Sequence, residues 1–187
     1  MEELKDMKVD IIDIKERTAM VFRKVFSHTK ATVVCADLLD YYPENKDSID
    51  CLVSPGNSFG HMTGGYDEAL SHLLGEDFQL DVREKIYSDY YGEQNVGTSF
   101  IMDTPIKGLR LIHTPTMQYP EPIKDDFVIY SCMRSTLICA LQNHVSHIVL
   151  PIFGGEAGHV KPEISSKRML DAYTQIRDHR GPKYEIW

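Results

Sequence analysis

No stretch of this 187-residue chain approaches eighteen uninterrupted apolar residues, and its charged opening, MEELKDMKVD, leads into no signal-type apolar segment. No membrane partner is therefore expected, and a cytoplasmic protein is. Cysteine is scarce: four residues, at 35, 51, 132 and 139, form no C-x-x-C pair, and the eight histidines show no H-E-x-x-H spacing. Neither disulfides nor zinc are indicated, and no metal or cofactor is expected. Basic residues are outnumbered as well, 20 Lys and Arg against 28 Asp and Glu, which leaves a formal charge of -8. A general nucleic-acid surface needs clustered cations to displace counterions, so long anionic polymers are not expected as partners. A small diphosphate is still admissible, because backbone N–H groups at loops and helix ends bind one without net positive charge.

What is present is enough apolar residue, 42%, for a sizeable core in a single domain spanning 1–187. The pattern alternates between strand and helix. A strand at 8–14 is followed by a helix at 15–28, with Ala19, Met20, Phe22, Val25 and Phe26 at helical spacings, and residues 1–30 read as a strand-helix extension of the same domain. Residues 31–39 read as a buried strand ending near Asp37, and 40–48, DYYPENKDS, as a polar loop. A helical stretch at 66–91 breaks near Gly75, and its Tyr87, Tyr90 and Tyr91 are expected as half-buried packing residues. Strands at 96–104 and 108–117 follow, the second enclosing His113 as an interior histidine. After a polar loop at 119–126 comes a helix at 127–144, whose Cys132 and Cys139 should face the core, then a strand at 147–151 and a last helix from Pro162 through Tyr173. This order predicts an α/β fold with a mainly parallel sheet flanked by helices, with ligands beyond the carboxyl ends of the strands.

Two loops stand out. In the first, an apolar run (Ile49, Cys51, Leu52, Val53) stops at Pro55-Gly56, and Gly56, Gly60, Gly64 and Gly65 precede a helix that starts near Tyr66. A helix start aims unpaired N–H groups and a positive dipole end at whatever lies before it, for which a phosphate is suited. Asn57 leaves the strand and Asp67 enters the first helical turn, so both could border one cavity, an amide to hold a sugar hydroxyl and a carboxylate to polarise one. In the second, the strand ending at Pro151 opens into Gly154, Gly155 and Gly158 before the final helix. Two such units can grip a diphosphate from both sides.

The first loop, S-P-G-N-S-F-G-x-M-x-G-G-x-D over 54–67, resembles the ligand loop of the macrodomain family of ADP-ribose-binding modules, N-A-A-N followed by a glycine run and V-D. Asn57 and Asp67 keep the family's ten-residue separation. Further along, VGTSFI and LIHTPTM are similar to two family strands, and A-D-L at 36–38 stands where the family has G-D-I. The second loop resembles the family's phosphate loop with Pro151, Gly154 and Gly158 in register, but departs from it at Gly155, Glu156 and His159. The likeness spans roughly 8–175 and implies a three-layer α/β/α macrodomain with a mixed, mainly parallel central sheet.

By that resemblance, Asp37 accepts a hydrogen bond from the adenine amino group. Ser54, Gly56, Asn57, Gly64, Gly65 and Tyr66 border the distal ribose and phosphates, and Phe153, Gly154, Gly155, Glu156, Ala157, Gly158 and His159 the diphosphate. Phe153 and Tyr119 are equally readable as lids over the ligand or as packing. The implied partner is ADP-ribose or an ADP-ribosylated protein, and the implied activity is hydrolysis of mono-ADP-ribosyl linkages, with Asn57 and Asp67 as catalytic residues. A non-catalytic ADP-ribose reader and a degenerate domain used for protein contacts are the alternatives. Glu156, a carboxylate where a diphosphate would lie, favours the reader.

Overall fold

A computed structural model describes residues 4–178. After a 3-10 turn at Leu4–Asp6, the chain runs β1 (Lys8–Asp13), α1 (Glu16–Phe26), β2 (Thr32–Cys35), α2 (Leu38–Asn45), β3 (Cys51–Ser54), α3 (Gly65–Leu74), α4 (Phe78–Tyr90), β4 (Phe100–Asp103), β5 (Arg110–His113), α5 (Phe127–Gln142), β6 (His147–Pro151) and α6 (Pro162–Asp178). The strands form one sheet in the order β2-β1-β6-β3-β5-β4, parallel throughout except for the antiparallel edge pair β4 and β5. The fold is α/β with a mixed, mainly parallel sheet, as the alternation of elements predicts.

Each central strand is buried on both faces, and successive residues serve opposite layers. Val9, Ile11, Cys51, Val53, Ile112, Ile148 and Leu150 pack with Phe22 and Phe26 of α1 and with residues of α5 and α6. Between them in sequence, Ile12, Leu52, Leu111 and Val149 meet α2, α3 and α4 through Leu38, Tyr42, Leu70, Val82 and Ile86. One connection, α1, lies on the first face, and the next, α2, on the second. A change of side of this kind opens a crevice at the carboxyl ends of the strands.

Asp10, fully buried on β1, faces the same layer as Ile12. Its Oδ2 receives the Tyr41 hydroxyl of α2 at 2.8 Å and meets His147 Nε2 at 2.6 Å and Lys8 Nζ at 3.3 Å. Burial pushes its carboxyl up, but the bonds from His147 and Tyr41 and the charge of Lys8 outweigh this and leave it below the usual carboxylate value. The network ties α2, and with it the Asp37 cap at its start, to β1 and β6.

Several expectations need correction. Residues 40–48 are not a loop, because Leu38–Asn45 is helical despite Pro43 within it. Asp37 caps this helix with its own side chain, Oδ1 accepting from Leu39 N at 2.8 Å. Tyr87 and Tyr91 are 77% and 97% exposed instead of half-buried, while Tyr90 packs on Phe100. Met20, at 61% exposure, points away from the core. The strand-helix unit at 1–30 supplies an interior strand, since β1 lies between β2 and β6. Cys132 and Cys139 are core residues, and His113 is fully buried.

Candidate functional site

A cleft of about 520 Å³ opens at the carboxyl ends of the parallel strands. Four strand-to-helix connections, with the strand ends and first helical turns that flank them, wall it: 12–18 at the end of β1, 36–38 after β2, 55–69 after β3 and 151–162 at the end of β6, with Thr116 and Met117 at one side.

The loop after β3 is held by an extension of the β3–β5 ladder. Thr114 N donates to Ser54 O at 3.0 Å, Thr116 N to Gly56 O at 2.9 Å and Ser58 N to Met117 O at 3.1 Å. Beneath the loop, His113 Nδ1 pairs with Gln94 Oε1 at 2.6 Å, and burial lowers the ring to a pKa of about 3, so the imidazole is neutral. Its Nε2 lies 2.3 Å from where a Cβ on Gly56 would stand. Only glycine fits above this ring.

Asn57 faces the cleft, but its side chain is engaged within its own loop. Oδ1 accepts from Phe59 N at 3.1 Å and His61 N at 3.4 Å, and Nδ2 donates to His61 O at 2.9 Å. The amide has one further hydrogen to give. Asp67, in the first turn of α3 and 7% exposed, lines the same cleft. Its Oδ1 accepts the Ser54 hydroxyl at 2.7 Å. Burial pushes its carboxyl up to about 7, against the pull of that hydrogen bond. At neutral pH such a group exists in both ionisation states and can take or give a proton. Gly64, in extended conformation at the N-cap of α3, provides no side-chain cap, so the first-turn N–H groups remain open to an acceptor. Tyr66 also lines the cleft; its hydroxyl is buried without a hydrogen-bond partner among the described residues, and burial followed by the nearby Asp67 charge raises it well above its usual value.

The loop after β6 turns tightly. Gly154 adopts φ of +77°, and its carbonyl accepts from Val160 N at 2.9 Å, while His159 N donates to Glu156 O at 3.0 Å. Gly154, Gly155, Glu156, Ala157 and Gly158 all line the cleft. Phe153 does not: it is fully buried in the core between β6 and the helices, with its carbonyl held by Ser165 Oγ at 2.8 Å, and it is no lid. His159 is exposed at a positive φ of 52° and lies outside the cleft lining. Ser54 lies beneath the surface, reaching the site only through Asp67. Tyr119 pairs with Phe59, ring centres 4.9 Å apart, and is 56% exposed.

The structure brings Asp37, Asn57, Gly64, Gly65, Tyr66, Asp67 and the 154–158 loop to one cavity. It adds residues that sequence reading missed. Lys15 follows β1 and reaches the mouth, where its Nζ lies 3.8 Å from Glu156 Oε1. Asp13 accepts the Lys15 backbone N–H at 2.6 Å; burial raises its carboxyl against that bond, and the Glu156 charge adds to the rise. Their one signal was position at the carboxyl end of a parallel strand, which becomes informative only when β1 is known to adjoin β6.

Residues 10–177 match the model of a family described as Macro-like domain. The chain belongs to this family. Among relatives of this macro-like domain is an uncharacterized protein of Aquifex aeolicus, 26% identical over 123 residues, 65% of this chain and 71% of that one. Among solved structures, the macrodomain of Mycobacterium tuberculosis DarG superposes with a TM-score of 0.59 at 19% identity, covering 70% of this chain and 85% of its own. The Trypanosoma brucei macrodomain in complex with ADP-ribose gives 0.57 at 18% identity, over 72% of this chain and 54% of that one. At such identities the superpositions establish the macrodomain architecture. The cleft of this macro-like domain must be read from its own residues.

Proposed function

We infer that this macro-like domain binds ADP-ribose, free or attached to protein, and hydrolyses mono-ADP-ribosyl linkages. The observation that carries the reading is Asp67: a carboxylate 7% exposed, on the cleft wall, with a pKa pushed to about 7 and an orientation set by the Ser54 hydroxyl. In the proposed reaction, ionised Asp67 takes a proton from water as the water oxygen bonds to the anomeric or acyl carbon of an ester-linked ADP-ribose. Asp67 returns the proton to the leaving oxygen as its bond breaks, so that a free carboxyl and ADP-ribose separate and the Asp67 carboxylate is regenerated. Asn57 orients the distal ribose through its remaining amide hydrogen, Asp37 meets the base, and the backbone of 154–158 and the open start of α3 hold the diphosphate. Among the described residues no group of three His, Cys, Asp or Glu side chains that could hold a metal ion occurs. All four cysteines are free thiols, which supports a reducing, cytoplasmic setting; no helix among the described residues is long and apolar enough to cross a membrane.

The test is release of ADP-ribose from an automodified mono-ADP-ribosyl transferase. Wild-type protein is expected to release it and Asp67→Ala to lose turnover while retaining ADP-ribose binding; equal turnover by the variant removes Asp67 from the reaction. Glu156, which reaches across the cleft, favours a second reading as a non-catalytic reader. Saturable binding without release by the wild type would establish that one instead.

A further inference from the structure

The loop after β6 carries a carboxylate that, although more than half exposed, reaches across the cleft. Glu156 Oε2 lies 2.0 Å from where a Cβ on Gly65 would stand, so it rests directly on the first residue of α3 across the cleft. Its other oxygen, Oε1, faces Lys15 Nζ at 3.8 Å. One side chain therefore reaches the positive end of α3 and the Lys15 ammonium, both attractive to an anion. Asp13 lies near enough for the Glu156 charge to raise its carboxyl, so the mouth holds two carboxylates around one ammonium.

We propose that Glu156 is an internal competitor for the ligand's diphosphate, occupying the anion position between the two glycine loops and holding Lys15 until phosphate oxygens replace it. This rests on the reading of the cleft as an ADP-ribose site and adds the residue that sets its selectivity. The Glu156 and Lys15 side chains are 55% and 57% exposed, so the contact is solvent-screened and free to swing outward. Gly65 is central to the device. With φ of +58° and no Cβ, it leaves the space in which the carboxylate rests. Displacement of Glu156 frees both the helix start and Lys15 for the entering phosphates. A ligand lacking phosphate has no reason to displace it.

Calorimetric titration of ADP-ribose into wild type, Glu156→Gln, Lys15→Met and the double variant tests the proposal. Glu156→Gln is expected to tighten binding about tenfold, a change of about 1.4 kcal/mol. Lys15→Met is expected to weaken binding about tenfold in the Glu156→Gln background but no more than about threefold in the wild type, because there Lys15 is shared between Glu156 and ligand. Adenosine, which has no phosphate, is expected to bind wild type and Glu156→Gln alike. Unchanged or weaker ADP-ribose binding by Glu156→Gln, the same loss from Lys15→Met in both backgrounds, or an equal gain for adenosine overturns the competitor. If none of the four proteins binds ADP-ribose, the reading of the cleft itself falls and takes the competitor with it.

Discussion

Asp67 makes the cleft a source of instability whose sign can be worked out. The carboxyl moves from its ordinary 3.8 to about 7 because burial disfavours the ionised form. The folded state thus binds a proton that the unfolded chain has already released. Stability therefore falls as pH rises from about 4 to about 7, and the whole penalty is present above that window. At about 1.4 kcal/mol for each pH unit, the penalty is on the order of 4 kcal/mol at pH 8. Asp67→Asn keeps the shape and can still accept the Ser54 hydroxyl, but carries no charge. Urea unfolding at about pH 5 and about pH 8 should show the variant gaining about 2–4 kcal/mol over wild type at the higher pH and much less at the lower. The same protein should lose turnover, a gain in stability at the expense of activity. If wild type and variant show parallel pH dependence, Asp67 is not the strained group, and its assignment as a proton-transferring residue loses its physical basis.

Further consequences concern the scaffold under the site. His147→Ala removes the closest partner of fully buried Asp10 and should destabilise the fold by about 3–5 kcal/mol in urea unfolding. Because Asp10 sits below its usual value in the folded protein, the stability it contributes should be lost only as pH falls below 3.8 towards that lower value. Gly56→Ala drives a methyl group into the buried His113 ring, which Gln94 holds from the other side, and should lower stability by about 1–3 kcal/mol in thermal unfolding.

The sheet was legible because its strands are buried on two faces and read as short apolar runs, from IIDI to HIVLP, separated by helical spacings. The cleft's two glycine loops were legible for a related reason, since glycines between a strand and a helix mark backbone that must turn sharply. What escaped depended on the identity of neighbours. Helix α2 was hidden by Pro43 and a polar composition, and its stability comes from the Asp37 cap and from Tyr42 and Tyr41 anchoring to the sheet. Phe153 was readable from its place in the loop equally as a lid or as packing, and the structure decides for packing: two residues past the end of β6 its ring joins the core with Leu150 and Ile152. Lys15 and Asp13 were invisible because nothing local says that β1 lies beside β6. Tyr87 and Tyr91 show the reverse error: helical spacing placed them on a packed face, but no element covers that side of α4 among the described residues.

Nuclear magnetic resonance mapping of backbone amides during titration with ADP-ribose tests the central claim most directly. Saturable shifts are expected together at 37–38, at 64–67 and at 154–158, the three segments that converge on the cleft. Shifts absent from these segments, or confined to surfaces away from the carboxyl ends of the strands, would contradict it.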